Sequence, residues 1–172
     1  LGAGHGGTNA AAFLPQFGYE GRIILVGDGT TIPYQRPPLA KAWLKGEAKS
    51  ESMMLRPESF YEKSNIELRV GVRATTINPM ARTVALGESE SLAYDDLIIA
   101  TGARARKLPI PGADLPQVHE LRNATDADRL KAGLGSAKRI ATVGGGYIGL
   151  EVAASARGLG VEVIVLQRLA PV

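Results

Sequence analysis

There is no cysteine in this chain of 172 residues. Within these residues that excludes a disulfide framework, a thiolate metal site, a Cys-ligated iron–sulfur cluster and a redox-active thiol pair. Histidine occurs only twice, as His5 and His119. His119 stands alone in a turn, and no metal site is expected. No apolar run reaches membrane-spanning length. No signal peptide is visible, and the expected location is cytoplasmic. Charge of one sign is also scarce: 20 Lys and Arg against 17 Asp and Glu leave a formal +3. The basic residues are scattered, which fits a solvated surface and is too little to argue for nucleic acid. Apolar residues make up 45% of the chain, enough for a core in one domain or two small ones.

Glycine, by contrast, is placed with purpose. Gly2-Ala3-Gly4-His5-Gly6-Gly7 and Gly144-Gly145-Gly146-Tyr147-Ile148-Gly149 both fit G-x-G-x-x-G, and each precedes a helix-like run. In such a turn the first Gly permits the sharp strand-to-helix bend. The second lets the backbone approach a pyrophosphate, and the third lets helix and strand pack closely. Backbone N–H groups and the positive helix end then hold the anion. One such match is weak evidence; two suggest paired nucleotides and electron transfer between them.

The surrounding pattern supplies the rest of each unit. Residues 8–18 read as a helix interrupted by Pro15, and residues 22–26 as a buried strand. Only Leu1 precedes the first turn, so the opening strand is expected to be missing and the chain to be an internal piece of a longer protein. Residues 27–50 form a loop-and-helix excursion in which a helix can begin near Pro38. A short helix is expected over 58–63. Strands are expected over 67–70, 74–78, 83–86 and 91–93, as a small antiparallel meander. Residues 95–102 read as a buried strand ending in a Thr-Gly turn, and 104–112 as a basic, Pro-rich linker. A helix capped by Thr125 covers 126–133. Strand 139–143, helix 148–159 and strand 161–166 complete the second unit.

An acidic residue after the second strand of such a unit grips the ribose hydroxyls. Asp28 is the candidate in the first unit. The corresponding residue in the second is Gln167, followed by Arg168. A carboxylate repels a 2′-phosphate and Gln does not. Two readings stay open here: a preference for NADP, or a Gln that still hydrogen-bonds the ribose.

Four segments together resemble the two-dinucleotide-binding flavoprotein reductases, in particular the ferredoxin, putidaredoxin and rubredoxin reductases of oxygenase systems. Gly2 to Gly7 resembles the family's FAD loop. Tyr34-Gln35-Arg36-Pro37-Pro38-Leu39-Ala40-Lys41 is similar to its Y-x-R-P-P-L-S-K signature, with Ala40 in place of Ser. Leu97-Ile98-Ile99-Ala100-Thr101-Gly102-Ala103 resembles its ATG motif. Val143 to Glu151 resembles its NAD loop. The R-P-P-L-x-K segment is the specific signal, because glycine loops are shared far more widely.

The resemblance implies an α/β fold with two Rossmann-like units, FAD- and NAD(P)-binding, and a small β meander, truncated at both ends. Residues 1–105 would be the first part of the FAD domain and 106–172 the first part of the NAD(P) domain. A returning FAD segment and a C-terminal interface domain would lie beyond these residues, leaving the piece alone inactive. The implied reaction is hydride transfer from NAD(P)H to FAD, then single electrons to a small iron–sulfur carrier, a ferredoxin or rubredoxin. Lys41 and Glu151 would pair beside the flavin, Lys41 setting positive charge near its N5. Gly2, Gly4, His5, Gly7, Asp28, Arg36, Thr101, Gly102 and Arg122 would contact FAD, His5 by packing the loop. Asn123 replaces the family's Thr beside Arg122. Gly144, Gly146, Tyr147, Ile148, Gly149, Gln167 and Arg168 would serve the nicotinamide nucleotide. Trp43 is expected to pack rather than to stack on flavin. Other enzymes of this fold, such as nitrite reductase subunits and a cell-death flavoprotein, share the segment. A non-catalytic nucleotide-binding module is the alternative of a different class.

Overall fold

A helix starts as soon as the first glycine turn ends. In the computed structural model, which describes residues 1–168, α1 spans His5–Phe13 and takes two glycines into its first turn. Residues 169–172, the end of the expected second domain, lie outside the described residues. Pro15 ends the α-helical part, and a 3₁₀ turn over Pro15–Phe17 closes on Gly18 in the left-handed region at φ 85°. Strand β1 (Ile23–Val26) follows. Contacts divide the chain into two compact units. One is Leu1–Gln35 with Met54–Ala103; the other is Arg36–Met53 with the chain from Arg104 onward.

In the first unit, α3 (Glu58–Lys63) leads into β2 (Ile66–Arg69), which pairs parallel to β1 with Ile23 opposite Ile66. This corrects the expectation that the strand near 67–70 belongs to the meander. An alternating pattern says that a strand exists, not which neighbour it takes. Here the helix between β1 and β2 carries the chain back so that the strands run the same way. Ala11, Leu25, Tyr61 and Ile66 are buried between α1, α3 and the two strands. The antiparallel meander itself has three strands, β3 (Ala74–Asn78), β4 (Thr83–Leu86) and β5 (Glu90–Ala93). Val84 and Leu86 of β4 pack with Val26 of β1. Arg22 and then Arg69 hydrogen-bond to Glu67 and hold its carboxyl below the ordinary value, in a solvated network that also joins Arg69 to Glu90.

Residues 95–102 are not a buried strand. Ile98 and Ile99 are 49% and 61% exposed. The segment's backbone bonds with Leu1: the Leu1 amino group donates to the Ile98 carbonyl at 2.6 Å, and the Ala100 N–H to the Leu1 carbonyl at 2.7 Å. Gly2 in turn donates to the Val26 carbonyl at 2.7 Å, so Leu1 and Gly2 run between β1 and residues 98–100.

In the second unit, Pro37–Ala40 forms a 3₁₀ turn rather than the start of an α-helix. The turn closes from the Leu39 N–H to the Arg36 carbonyl and from the Lys41 N–H to the Pro38 carbonyl, each at 3.0 Å. The short helix α2 (Ser50–Met53) follows. Helix α4 (Ala124–Leu134) starts two residues earlier than expected, because Asn123 and not Thr125 caps it. The Asn123 side chain accepts from the Asp126 N–H at 2.9 Å, and the Asp126 carboxylate accepts from the Asn123 N–H at 3.1 Å. This reciprocal box stabilises the helix entry. Strand β6 (Arg139–Val143), helix α5 (Tyr147–Gly158) and strand β7 (Glu162–Leu166) form a parallel unit. Its core joins Ala40 and Leu44 to Leu134, Val152, Ala156 and Val161. No helix among the described residues is long and apolar enough to cross a membrane.

Candidate functional site

The first glycine turn has two positions that only glycine fits. Gly2 sits at φ +102°, and a Cβ there would lie 2.2 Å from the Ala100 carbonyl oxygen. A Cβ on Gly7 would lie 1.9 Å from the Gly2 carbonyl oxygen. The turn is therefore folded tightly on itself, with Thr101 beside Gly2, while His5 and Gly6 stay exposed. Gly4 caps α1 without any side-chain hydrogen bond. The helix thus opens on bare backbone N–H groups, the donor set a pyrophosphate requires. Asp28 is exposed at the end of β1. Gly27, before it, donates to the Arg69 carbonyl at 2.9 Å, and its own carbonyl accepts from Val72 at 3.0 Å. Gly27 was not singled out from the sequence. Its role is visible only in three dimensions: a Cβ there would meet the Ala3 Cβ at 2.5 Å, closing the gap between strand end and loop. Gly102 is exposed, in the left-handed region at φ 73°. The first unit thus gathers Gly2, Gly4, His5, Gly7, Asp28, Thr101 and Gly102. These residues fit the dinucleotide that the turn implies.

The second unit holds the other expected residues. Gly144 is at φ +105°, and a Cβ on Gly149 would lie 2.1 Å from the Gly144 carbonyl oxygen. Gly146 faces open space and caps α5, again with no side-chain bond. Tyr147 and Ile148, the first residues of α5, are 91% and 51% exposed. The Gly145 N–H donates to Gln167 Oε1 at 2.8 Å, which ties the turn to the end of β7. Arg168 is exposed.

Lys41 Nζ lies 2.9 Å from Glu151 Oε1. The route from sequence to this contact is short. Leu39 and Ala40 are buried, so the 3₁₀ turn is anchored by its two apolar residues and Lys41 follows them to the surface. Ser155 Oγ donates to the Ala40 carbonyl at 2.7 Å. Glu151 and Ser155 are four residues apart on α5 and share one face. Adjacent residues of the turn are thereby held by adjacent positions of one helical stripe: the carbonyl of Ala40 by Ser155, the ammonium of Lys41 by Glu151. Ser155 was missed from sequence, since a Ser in an Ala-rich helix carries no signal of its partner. Ser155→Ala is expected to lower stability by about 1–2 kcal/mol, because it leaves the buried Ala40 carbonyl without its donor. A urea unfolding midpoint equal to that of the parent would refute this clamp.

Beside the pair lies a cleft of about 260 Å³, lined by Arg36, Leu39, Leu121, Arg122, Ile148 and Glu151 among others. Arg36 Nη1 donates to the Arg122 carbonyl at 3.4 Å, and the Arg122 N–H donates to the Asp126 carboxylate at 3.0 Å. The capping box of α4 therefore also fixes the backbone that receives Arg36. Trp43 is not in this cleft; its Nε1 donates to Asp128 Oδ1 at 2.8 Å, and the Lys131 ammonium lies 5.4 Å from the ring centre. Among the described residues no cluster of His, Asp and Glu could hold a metal ion.

The family described as pyridine nucleotide-disulphide oxidoreductase matches residues 1–172. A probable ferredoxin reductase of Castellaniella defragrans, CtmF, is 46% identical over 168 residues, 98% of this chain and 41% of that protein. A rubredoxin-NAD(+) reductase of Pseudomonas putida is 42% identical, over 97% of this chain and 43% of its own length. The crystal structure of a ferredoxin reductase from Rhodopseudomonas palustris superposes with a TM-score of 0.91 at 42% identity, covering 96% of this chain and 41% of that one. The chain thus spans about two fifths of the length of the relatives it matches.

Proposed function

We propose that this chain, which belongs to the pyridine nucleotide-disulphide oxidoreductase family, forms the nucleotide-binding part of an NAD(P)H-dependent flavoprotein reductase. In this reading the intact protein passes single electrons to a small iron–sulfur protein, a ferredoxin or rubredoxin, of an oxygenase system in the cytoplasm. The observation that carries it is the Lys41–Glu151 ion pair at 2.9 Å, which joins the R-P-P-L-x-K segment to the helix after the second glycine turn. The absence of cysteine from these residues supports the same route, because no redox disulfide is at hand here to take the electrons.

FAD, when bound, supplies the conversion of a two-electron donor into a source of single electrons. The residues of the chain bind and orient. The N–H groups opening α1 take the pyrophosphate of FAD, and Asp28 takes its ribose. The turn ending at Gly149 takes the nicotinamide nucleotide. Arg36 and Arg122 hold the flavin nucleotide, Lys41 sets a positive charge at the isoalloxazine, and Glu151 aims Lys41. We assign residues 1–105 to the FAD-binding domain and 106–172 to the NAD(P)-binding domain, with Arg36–Met53 as an excursion that packs in the second unit.

The test uses the intact protein. It is expected to purify yellow, with flavin absorbance near about 450 nm that NADH or NADPH bleaches without oxygen. Added ferredoxin or rubredoxin is then expected to couple this to cytochrome c reduction. A bound flavin that neither nucleotide bleaches would sink the reductase reading. Bleaching without transfer to any iron–sulfur carrier would place the protein among other oxidoreductases of this fold. Protein that binds no flavin would be a non-catalytic module.

A further inference from the structure

We propose that the second glycine turn selects the 2′-phosphorylated nucleotide NADP(H), with Gln167 and Arg168 as the selecting residues; this rests on reading that turn as the nicotinamide-nucleotide site. The end of the second strand in such a unit is where the adenine ribose is read. A carboxylate there accepts from both ribose hydroxyls and repels a phosphate. This chain has Gln167, and the structure shows how its amide is used. Its Oε1 is committed to the Gly145 N–H at 2.8 Å. The other prong of the amide, Nε2, carries donors only.

Arg168 adds a guanidinium, also donor-only, and forms no ion pair among the described residues. The one carboxylate on β7, Glu162, sits at the opposite end of the strand and pairs with Arg139 at 2.9 Å. Neither side chain at the strand end is a carboxylate, and Arg168 makes the local charge positive. A ribose 2′-hydroxyl thus lacks the charged acceptor that the usual acidic residue gives it. A 2′-phosphate is purely an acceptor, carries roughly −1.5 to −2 charge, and suits the planar fork of an Arg. Of the two readings left open by the sequence, the missing carboxylate and the added guanidinium favour the phosphorylated nucleotide.

The experiment is calorimetric titration of the intact protein with adenosine 2′,5′-bisphosphate and with 5′-AMP, which reads the ribose site without any turnover. The bisphosphate is expected to bind at least about tenfold more tightly. Gln167→Glu is expected to remove or reverse that preference, and Arg168→Ala to weaken the bisphosphate by roughly tenfold. Equal or tighter binding of 5′-AMP overturns the NADP(H) assignment and leaves the nucleotide site standing. An unchanged ratio in both variants removes Gln167 and Arg168 as selectors. Binding of neither nucleotide overturns the site itself, and with it both readings.

Discussion

Gly2→Ala is expected to leave the intact protein nearly free of flavin. The position is closed to a side chain twice over. Its φ of +102° lies where L-residues rarely go, and a Cβ would overlap the Ala100 carbonyl at 2.2 Å. Holding a non-glycine residue in such a region costs about 1–3 kcal/mol. The overlap is with backbone, so no side-chain rotation relieves it. Relief requires Leu1–Gly2 to move away from residues 98–101, which opens the turn whose N–H groups face the pyrophosphate. A loss of about 1.4 kcal/mol is tenfold in affinity, and at least that is expected for FAD. Gly18→Ala is the matched control. Gly18 is also left-handed, at φ +85°, but has no atom within 4 Å of a Cβ. It is expected to cost about 1 kcal/mol of stability and to keep its colour. The ratio of flavin absorbance to protein absorbance after purification decides between them. Two equally yellow variants would mean that the first turn is not the FAD loop.

Lys41→Ala is expected to slow anaerobic flavin reduction by roughly ten- to a hundredfold while FAD stays bound. Removing one electrostatic stabiliser from a dry active site costs about a hundred- to a thousandfold. A smaller loss is expected here, because the Lys41 side chain is 52% exposed and part of its field is lost to water. Glu151→Gln is expected to give a smaller loss, since it leaves the cation in place and removes only what aims it. Lys41→Arg should recover much of the rate, because the charge returns. Stopped-flow traces at saturating nucleotide measure all three. Unchanged kinetics in Lys41→Ala would remove Lys41 from the chemistry and leave the ion pair as a surface contact.

Much of this was legible before the fold was known, and the pattern of what was not is physical. Strands β3, β4 and β6 carry their own turn signals and alternation, and their limits agree residue for residue with the expectation. The pairing of β2 with β1 was not legible, because a strand's period does not name its neighbour. The segment 95–102 looked like a core strand from its apolar run, yet apolar composition does not report which backbone partners a segment finds. Asn123 was passed over as a cap because the local spacing suits Thr125 equally: each has an Asp three residues on, and the one after Thr125, Asp128, instead accepts from Trp43. The glycine turns announced themselves through spacing. Ser155 and the Gln167–Gly145 bond did not, since each joins residues far apart in the chain through a single side-chain atom.

The assignment of Arg36–Met53 to the second unit has a consequence for how the protein is made. On the ribosome, Leu39, Ala40 and Leu44 emerge long before Val152 and Ala156, their partners in the core, have been synthesised. Until then those apolar side chains have no surface of their own to bury. Non-local closure of this kind is slow and exposes sticky surface in the interval. The nascent chain is thus dependent on delayed docking, and a cut at the linker after Ala103 would leave the second half without Ala40 and Leu44 of its own core.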